Sequence, residues 1–273
     1  MDIIVGGNYR MYRPNSNGTI FSDTGNTTIR NSEMGFYAGL EKKFFLEKLK
    51  LNLTGRLDKN ENFDYLISPA LSAVYSFNPQ QILRVSYSSA IRNPTLTDQY
   101  LYYNLGRATL KGNLNGFDSL TTIPSIYNFF NTQNFDTLEY INIAPVKPEE
   151  VKTIEFGYRG TILKNIFVDL AAYYSRYKHF IGYKLGADIT ELPLYGTIYV
   201  NNIYRVATNA IDEVTTRGFS IGVNYYFRKY YMLTGNYSYN KLDRGGSTDP
   251  LIPAFNTPEN KYNIGVSARE IGR

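Results

Sequence analysis

Reactive side chains are scarce in this chain. It has one histidine, His179, and neither cysteine nor tryptophan among 273 residues. Nucleophilic hydrolysis would have to use that imidazole with Ser175 and Asp169, but side chains four apart on a strand share a face while lying about 13 Å apart along it. A triad would need partners from neighbouring strands. A solitary histidine in a Tyr- and Lys-rich segment reads instead as an interfacial side chain or a loop contact. The lack of cysteine removes disulfides, thiolate zinc, iron–sulfur clusters and cysteine nucleophiles. One imidazole removes multi-histidine metal centres, so no catalytic residue, metal or cofactor is expected. The glycines of GGN at 6–8 and RGGS at 244–247 lack the strand–loop–helix setting of a phosphate-binding loop. The formal charge of +5 is spread through a sequence only 19% charged. With no basic cluster on one face, nucleic acid is not an expected partner.

The chain is rich in rings instead: 26 Tyr and 16 Phe make 15% of its residues. They gather in two long segments. Residues 93–150 hold Tyr100, Tyr102, Tyr103, Tyr127, Phe129, Phe130, Phe135 and Tyr140, with Arg107 and Lys111 among Asn, Thr and Gly. Residues 185–214 hold Tyr195, Tyr199, Asn201, Asn202, Tyr204 and Arg205. A connection as long as the first is functional or disordered, and its aromatic content argues against disorder. Two uses are open. Aromatic faces and amides could hold a chelate, a sugar or a cobalamin-like nutrient, with Arg92, Tyr100, Tyr102, Tyr103, Tyr127, Phe129, Phe130, Tyr199 and Tyr204 as the candidate contacts. Equally, the rings could simply pack the loops against one another.

These segments must be positioned by strands. In IEFGYRG, Ile154, Phe156 and Tyr158 alternate with Glu155, Gly157 and Arg159, the period-2 pattern of a ribbon with one apolar and one polar face. The pattern recurs, and about ten strands are expected near 2–13, 33–45, 49–58, 66–77, 82–92, 151–163, 166–184, 215–228, 231–242 and 260–270. The connections at 46–48, 78–81, 164–165 and 229–230 are tight. Those at 14–32, 59–65, 93–150, 185–214 and 243–259 are longer, so short and long alternate. In a meander every second turn lies at the same end, so this sorting predicts an all-β, antiparallel up-and-down transmembrane barrel with brief periplasmic turns and long extracellular loops. Strand 82–92 then runs outward and 151–163 returns. Tilted membrane strands need roughly 9–11 residues, which these segments supply, and Tyr and Phe near their ends suit the headgroup zone. No stretch approaches the roughly 18 apolar residues of a membrane helix. A soluble sandwich also alternates, but it has no reason to sort its loops by length. Arg56, Arg84, Glu155, Arg159, Asp169 and Arg228 fall on polar, lumen-facing positions, where water alone can account for them. Arg92 and Asp98 could pair at the base of the first long connection, and GTIYVNNIYRV within 185–214 alternates like a strand rising above the membrane.

At this point the sequence resembles a known family. RVSYSSAIRNPTLTDQY at 84–100 is similar to the strand and loop of TonB-dependent outer-membrane receptors bearing R-x-P-T-L-x-[DE]-x-[YF], which Arg92, Pro94, Thr95, Leu96, Asp98 and Tyr100 fill. VKPEEVKTIEFGYRG at 146–160 resembles the K-P-E…E-x-G segment through Lys147, Pro148, Glu149, Glu155 and Gly157. TRGFSIGVNYYF, MLTGNYSYNKLD and PENKYNIGVSAR are similar to the strands that follow, so the likeness covers roughly 66–273. Ser220 stands where the family usually has glutamate.

The resemblance implies that residues 1–273 are one partial barrel domain, roughly half the strands of a larger barrel, lacking signal peptide, plug and last strands. It also implies energy-dependent uptake of a scarce nutrient such as a ferric siderophore, cobalamin or glycan across the outer membrane. The partners it implies are outer-membrane lipid, the plug domain of the same full-length receptor, and a TonB-type energy-coupling complex reached through the missing N-terminal part. It admits a surface lipoprotein as a further partner. A stand-alone small channel or adhesion barrel is the alternative.

Overall fold

The computed structural model describes residues 1–269 apart from 26, 229, 246–251 and 254–256. The RGGS expectation at 244–247 lies partly outside the described residues, as does the last residue of the 260–270 strand. In chain order the elements are β1 (Asp2–Tyr12), β2 (Asn31–Phe44), β3 (Leu49–Asn60), β4 (Phe63–Asn78), β5 (Gln81–Arg92), α1 (Leu96–Tyr100), β6 (Tyr102–Asn104), β7 (Ala108–Lys111), β8 (Phe117–Thr121), α2 (Ile123–Thr132) and β9 (Tyr140–Ile143). There follow β10 (Glu149–Ile162), β11 (Ile166–Lys178), β12 (Ile181–Leu192), β13 (Thr197–Asn209), β14 (Val214–Phe227), β15 (Tyr231–Asp243), β16 (Ile252–Pro253) and β17 (Asn260–Ala268).

Ten strands form one antiparallel wall in the order β1-β2-β3-β4-β5-β10-β11-β14-β15-β17. Directly opposed residues share a face, so the pairings carry one surface from strand to strand. Ile3 opposes Leu40, Leu40 opposes Leu53, Leu53 opposes Leu71, Leu71 opposes Tyr87, Tyr87 opposes Ile154 and Ile154 opposes Tyr174. Farther round, Leu170 opposes Ile221, Ile221 opposes Tyr237 and Tyr237 opposes Tyr262. This apolar surface is uncovered: Ile67 is 70% exposed, Ile154 57% and Ile264 79%. No second sheet packs on it among the described residues. The other surface is polar and concave, as contacts that skip a strand show. The Arg56 guanidinium donates to Asn8 Oδ1 at 2.9 Å across β2, and the Tyr173 hydroxyl to Asn240 Oδ1 at 2.8 Å across β14. The sheet therefore curls with its polar side inward. It does not close: among the described residues β1 pairs only with β2, and β17 only with β15.

The lower turns are short, and three of the four enter the left-handed region without glycine, at Phe45, Leu46 and Glu47, at Leu163 and Lys164, and at Arg228. Positive φ is what tight hairpins of this twist require. Arg228 thus sits in a turn and not on the polar face of its strand, a correction to its expected place. The upper connections are long, with one exception. The expected loop at 59–65 is a two-residue link, Glu61 and Asn62, because β3 and β4 extend upward, held by Asn60 Oδ1 accepting from Asn62 N at 2.9 Å. The expected strand 166–184 is also two strands. His179 takes φ 55°, the chain turns there, and β12 leaves the wall. Residues 93–148 and 179–213 do not form loops in the ordinary sense. They build a second, crown sheet ordered β6-β7-β13-β12-β8-β9, with β16 added beside β12.

Charge placement tests the two faces. Leu71→Arg, central on the uncovered face, is expected to cost about 2–4 kcal/mol. Ser72→Arg on the concave face should cost under about 1 kcal/mol. Urea unfolding of the protein folded into lipid vesicles measures both, and equal losses would contradict the assignment of faces.

Candidate functional site

The crown is tied to the wall by the two segments that carry the family-like motifs. After β5 the backbone turns at Pro94 into α1, which opens with a capping box: Thr95 Oγ1 accepts from Asp98 N at 3.2 Å, and Asp98 Oδ2 accepts from Thr95 N at 2.9 Å. Such reciprocal capping satisfies two otherwise orphaned amides. Asp98 is therefore occupied by its own helix and does not pair with Arg92, contrary to expectation. Gln99, buried at the base of α1, donates to Pro94 O at 2.6 Å and accepts from Asn31 at 2.9 Å and Asn62 at 2.7 Å. Asn60 donates to Asn31 Oδ1 at 2.9 Å, and Asn62 to the Tyr100 hydroxyl at 2.6 Å. Tyr100, a candidate contact, is thereby engaged in an amide chain joining α1 to the tops of β2, β3 and β4. Leu96 lies on α1, half-buried.

Arg92 pairs with Glu149 at 2.9 Å, directly opposite it between β5 and β10. Glu149 is 5% exposed, and the same oxygen accepts from Ile181 N at 2.9 Å. One carboxylate thus fixes the first residue of the crown strand β12 to the rim of the wall. Beside it, Lys147 N donates to Asn209 Oδ1 at 2.7 Å, while Asn209 Nδ2 donates to Lys147 O and to His179 O. Pro148 precedes Glu149 in this knot. Lower in the wall, Glu155 accepts weakly from Ser86 at 3.4 Å, and a Cβ on Gly157 would rest 3.6 Å from the Arg84 guanidinium. His179, Ser175 and Asp169 do not converge: Ser175 shares a hydrogen bond with Thr153 at 2.8 Å, and Asp169 is bridged to Arg159 at 2.6 Å.

The crown has two packed sides. On one, α2 lays Ile126 and Phe129 on Ala187 and Ile198, with Ile189, Val200 and Ile203 around them. The bulge between Asp188 and Ile189 skips Asn201 and lets Val200 and Ile203 reach the same cluster. Phe129 is wholly buried there, so it offers no surface to a ligand. That corrects its place among the candidate contacts. Its neighbours on α2, Tyr127 and Phe130, are exposed, as are Tyr102, Tyr103 and Tyr199.

On the other side Lys111 Nζ stands over three rings, 4.5 Å from the Tyr204 centroid, 5.3 Å from Phe117 and 5.5 Å from Tyr102. Burial lowers its pKa, while Asp188 pulls the other way. The Tyr204 hydroxyl is raised, first by burial and then by Asp188. On the opposite face, the one that carries Ile203, the Arg205 guanidinium lies 3.6 Å over the Tyr183 ring. The structure therefore brings Tyr102 and Tyr204 together around a lysine and leaves Tyr103, Tyr127, Phe130 and Tyr199 apart at the surface. At the crown's edge Tyr140 is pushed up to about 12 by burial and by its short hydrogen bond to Glu191. Phe117, Tyr183 and Asp188 were not anticipated. Phe117 lies on the five-residue β8, too short for a period to show, while Tyr183 and Asp188 lie on β12, hidden because the expected strand 166–184 ran on past the turn at His179.

The remaining upper connection, residues 13–30, joins the crown through Tyr102 N to Ile20 O at 2.8 Å and Ser22 N to Tyr100 O at 3.0 Å. It is closed on itself by Asp23, which accepts from Ser16 N, Ser16 Oγ and Gly18 N. Those bonds, led by the Ser16 hydroxyl, hold the Asp23 carboxyl at about 2.

Residues 2–269 match the family described as TonB dependent receptor-like, beta-barrel. No match was found among curated protein sequences. Among solved structures the chain is similar to the siderophore receptor PirA from Acinetobacter baumannii, at 14% identity and TM-score 0.61 over 97% of this chain and 36% of that one. It is similar to the FrpB iron transporter from Neisseria meningitidis at 12% identity and TM-score 0.60, over 99% of this chain and 38% of that one. A structure titled copper transporter OprC matches at 14% identity and TM-score 0.56, over 88% of this chain and 32% of that one. The chain spans about a third of their length, and at these identities the likeness speaks for the fold.

Two measurements follow from the rim geometry. Glu149→Ala leaves the buried Ile181 N–H unpaired, a cost of about 1–3 kcal/mol, so amide exchange at Ile181 should quicken while the β5–β10 ladder stays protected; Glu149→Gln, which keeps an acceptor, should recover most of the protection. For Asp23 the folded value of about 2 lies below the unfolded 3.8. Its contribution is therefore complete above about 3.8 and lost as pH falls through about 2. Limited proteolysis of residues 13–30 should show that acid step in the native protein and none in Asp23→Asn.

Proposed function

We propose, for a chain that belongs to the TonB-dependent receptor-like β-barrel family and lies in the outer membrane, that it supplies wall and crown to a receptor importing a scarce nutrient by energy-dependent transport. Residues 1–273 act as one barrel unit. The plug that fills such a barrel and the TonB-type complex that energises it are partners of the full-length receptor in this reading, and a surface lipoprotein is a further candidate partner.

The observation that carries the reading is Lys111 among Tyr102, Phe117 and Tyr204. A desolvated ammonium gains from an anionic partner, and aromatic faces gain from flat ones. An anionic chelate with planar donor groups satisfies both, so a ferric siderophore is the favoured cargo over cobalamin or a neutral glycan. The names of the similar structures, a siderophore receptor, an iron transporter and a copper transporter, support a metal complex as the class. Tyr103, Tyr127, Phe130 and Tyr199 would meet the ligand first. Arg92 acts behind the site, by holding Glu149 and so the root of β12.

Uptake of labelled ferric siderophores by cells bearing the intact receptor tests this. Lys111→Ala together with Tyr204→Ala should weaken binding about tenfold, on the order of 1.4 kcal/mol, and a protonophore should stop uptake while leaving surface binding in place. Unchanged binding of every chelate by the double variant, or uptake that persists without energy, would contradict the proposal.

A further inference from the structure

The ladder of the wall is interrupted between β4 and β5. The other neighbouring pairs run to the top of the shorter strand, as β5 and β10 do with Arg92 opposite Glu149, whereas the β4–β5 ladder stops at Ala70 opposite Ser88. Above that point residues 63–69 of β4 follow β3, and 89–92 of β5 follow β10. A gap of about 20 Å along the strands lies between them. The Ala70–Ser88 pair closes it below. Above, the Asn62 side chain spans it, donating to Gln99 at 2.7 Å and to the Tyr100 hydroxyl at 2.6 Å.

The sequence makes this gap. Successive residues of a strand turn their backbone groups to opposite neighbours. Ser76 N donates to Lys48 O, just before β3, so even-numbered residues of β4 face β3, while Pro69 and Ile67 face β5. Pro69 stands where the next rung would form and has no N–H to give. A register shift between Asp58 and Asn60 then takes Asp64 and Tyr65 out of the β3 ladder as well. On β5, Gln80 O accepts from Thr161 N of β10, so Ser89 and Ile91 face the gap. The N–H and C=O groups of Ile67 and Ile91 thus border it with no backbone partner among the described residues.

A free strand edge is ordinarily blunted by lysine or covered. Here Asp64 is the single charge in residues 63–69, and Tyr65 and Ile67 are 61% and 70% exposed. What covers the edge must offer donors and acceptors alternately at strand spacing. Lipid phosphates accept without donating, and hydrocarbon does neither. A second copy does not fit, since upright barrels in one membrane bring together strands that cross at roughly 80°, and β5 stands in the way. An extended peptide backbone matches both borders of the gap, its main-chain bonds giving affinity and its alternate side chains specificity. Ile67 and Ile91 share the outward face of Leu71 and Tyr87, so the outward side chains of such a peptide are apolar.

We propose that the gap between β4 and β5 binds an extended segment of a second protein at the cell surface, which adds to the wall as a strand. Its backbone pairs with Ile67 on one side and Ile91 on the other, and apolar side chains at every second position continue the surface of Tyr65, Ile67 and Ile91.

A random nonapeptide display library, panned on the intact receptor in detergent, tests the site. Panning should enrich peptides with apolar residues at alternate positions, and the selected peptide should slow amide exchange at Ile67 and Ile91. Ile67→Pro removes the N–H that faces the gap while leaving the β3 ladder whole, so it should fold, as heat-modifiable gel mobility reports, and bind the peptide on the order of tenfold more weakly. The same peptide N-methylated at either set of alternate amides should not bind the wild-type receptor, and that comparison is read if Ile67→Pro does not fold. Failure to enrich any peptide, equal binding by Ile67→Pro, or undiminished binding of the N-methylated peptides would overturn the proposal.

Discussion

Every backbone amide that enters a bilayer must find its partner within the protein, because hydrocarbon offers none. The long ladders of the wall follow from that requirement. Strands of 9 to 16 residues pair in unbroken register over most of their length, and once the register is set, the period of two decides which side chains meet lipid and which meet water. The apolar surface from Ile3 round to Tyr262 is exposed here for the same reason that a soluble core is buried. The open edges at β1 and β17 state the requirement in another form: whatever completes the cylinder must pair with them.

The crown obeys different rules. It stands in water, so its core is ordinary, with Phe129, Ala187, Val206 and Ile198 closed away. What fixes it to the wall is a set of short polar knots at the rim. Glu149 holds Arg92 and the Ile181 amide together, Asn209 gathers two carbonyls and an amide, and Gln99 joins α1 to the top of β2 and to the β3–β4 link. Each knot uses groups that would be costly to leave unpaired once buried, so the crown is positioned by few residues, and its exposed rings lie outside those knots. The family-like motifs fall on these knots and not on the aromatic surface.

The wall was largely legible in the sequence. In β10, β11 and β14 the alternation of Ile154, Phe156 and Tyr158, of Val168 and Leu170, and of Phe219 and Ile221 marks the outward face directly. Tight lower turns were legible too. The crown was not, and the reason is physical. β6, β7, β8 and β9 are 3 to 5 residues long, too short for a period to show, and β12 continues the polar and aromatic composition of β11, so nothing local announces the turn at His179. The polar run at 59–65 resembles a loop, yet Asn60 and Asn62 keep it in strand form through side-chain bonds that only tertiary structure supplies. Arg92 drew attention to the nearby Asp98, whereas the register gave it Glu149, 57 positions away along the chain.

The central claim is that the apolar face of the wall touches acyl chains while the polar face meets water. Nitroxide labels placed singly at successive positions from 83 to 88 in lipid vesicles read this most directly, by collision with oxygen or with a water-soluble nickel chelate. Labels at 83, 85 and 87 should favour oxygen and those at 84, 86 and 88 the nickel chelate. A flat profile, or alternation of the opposite phase, would contradict it.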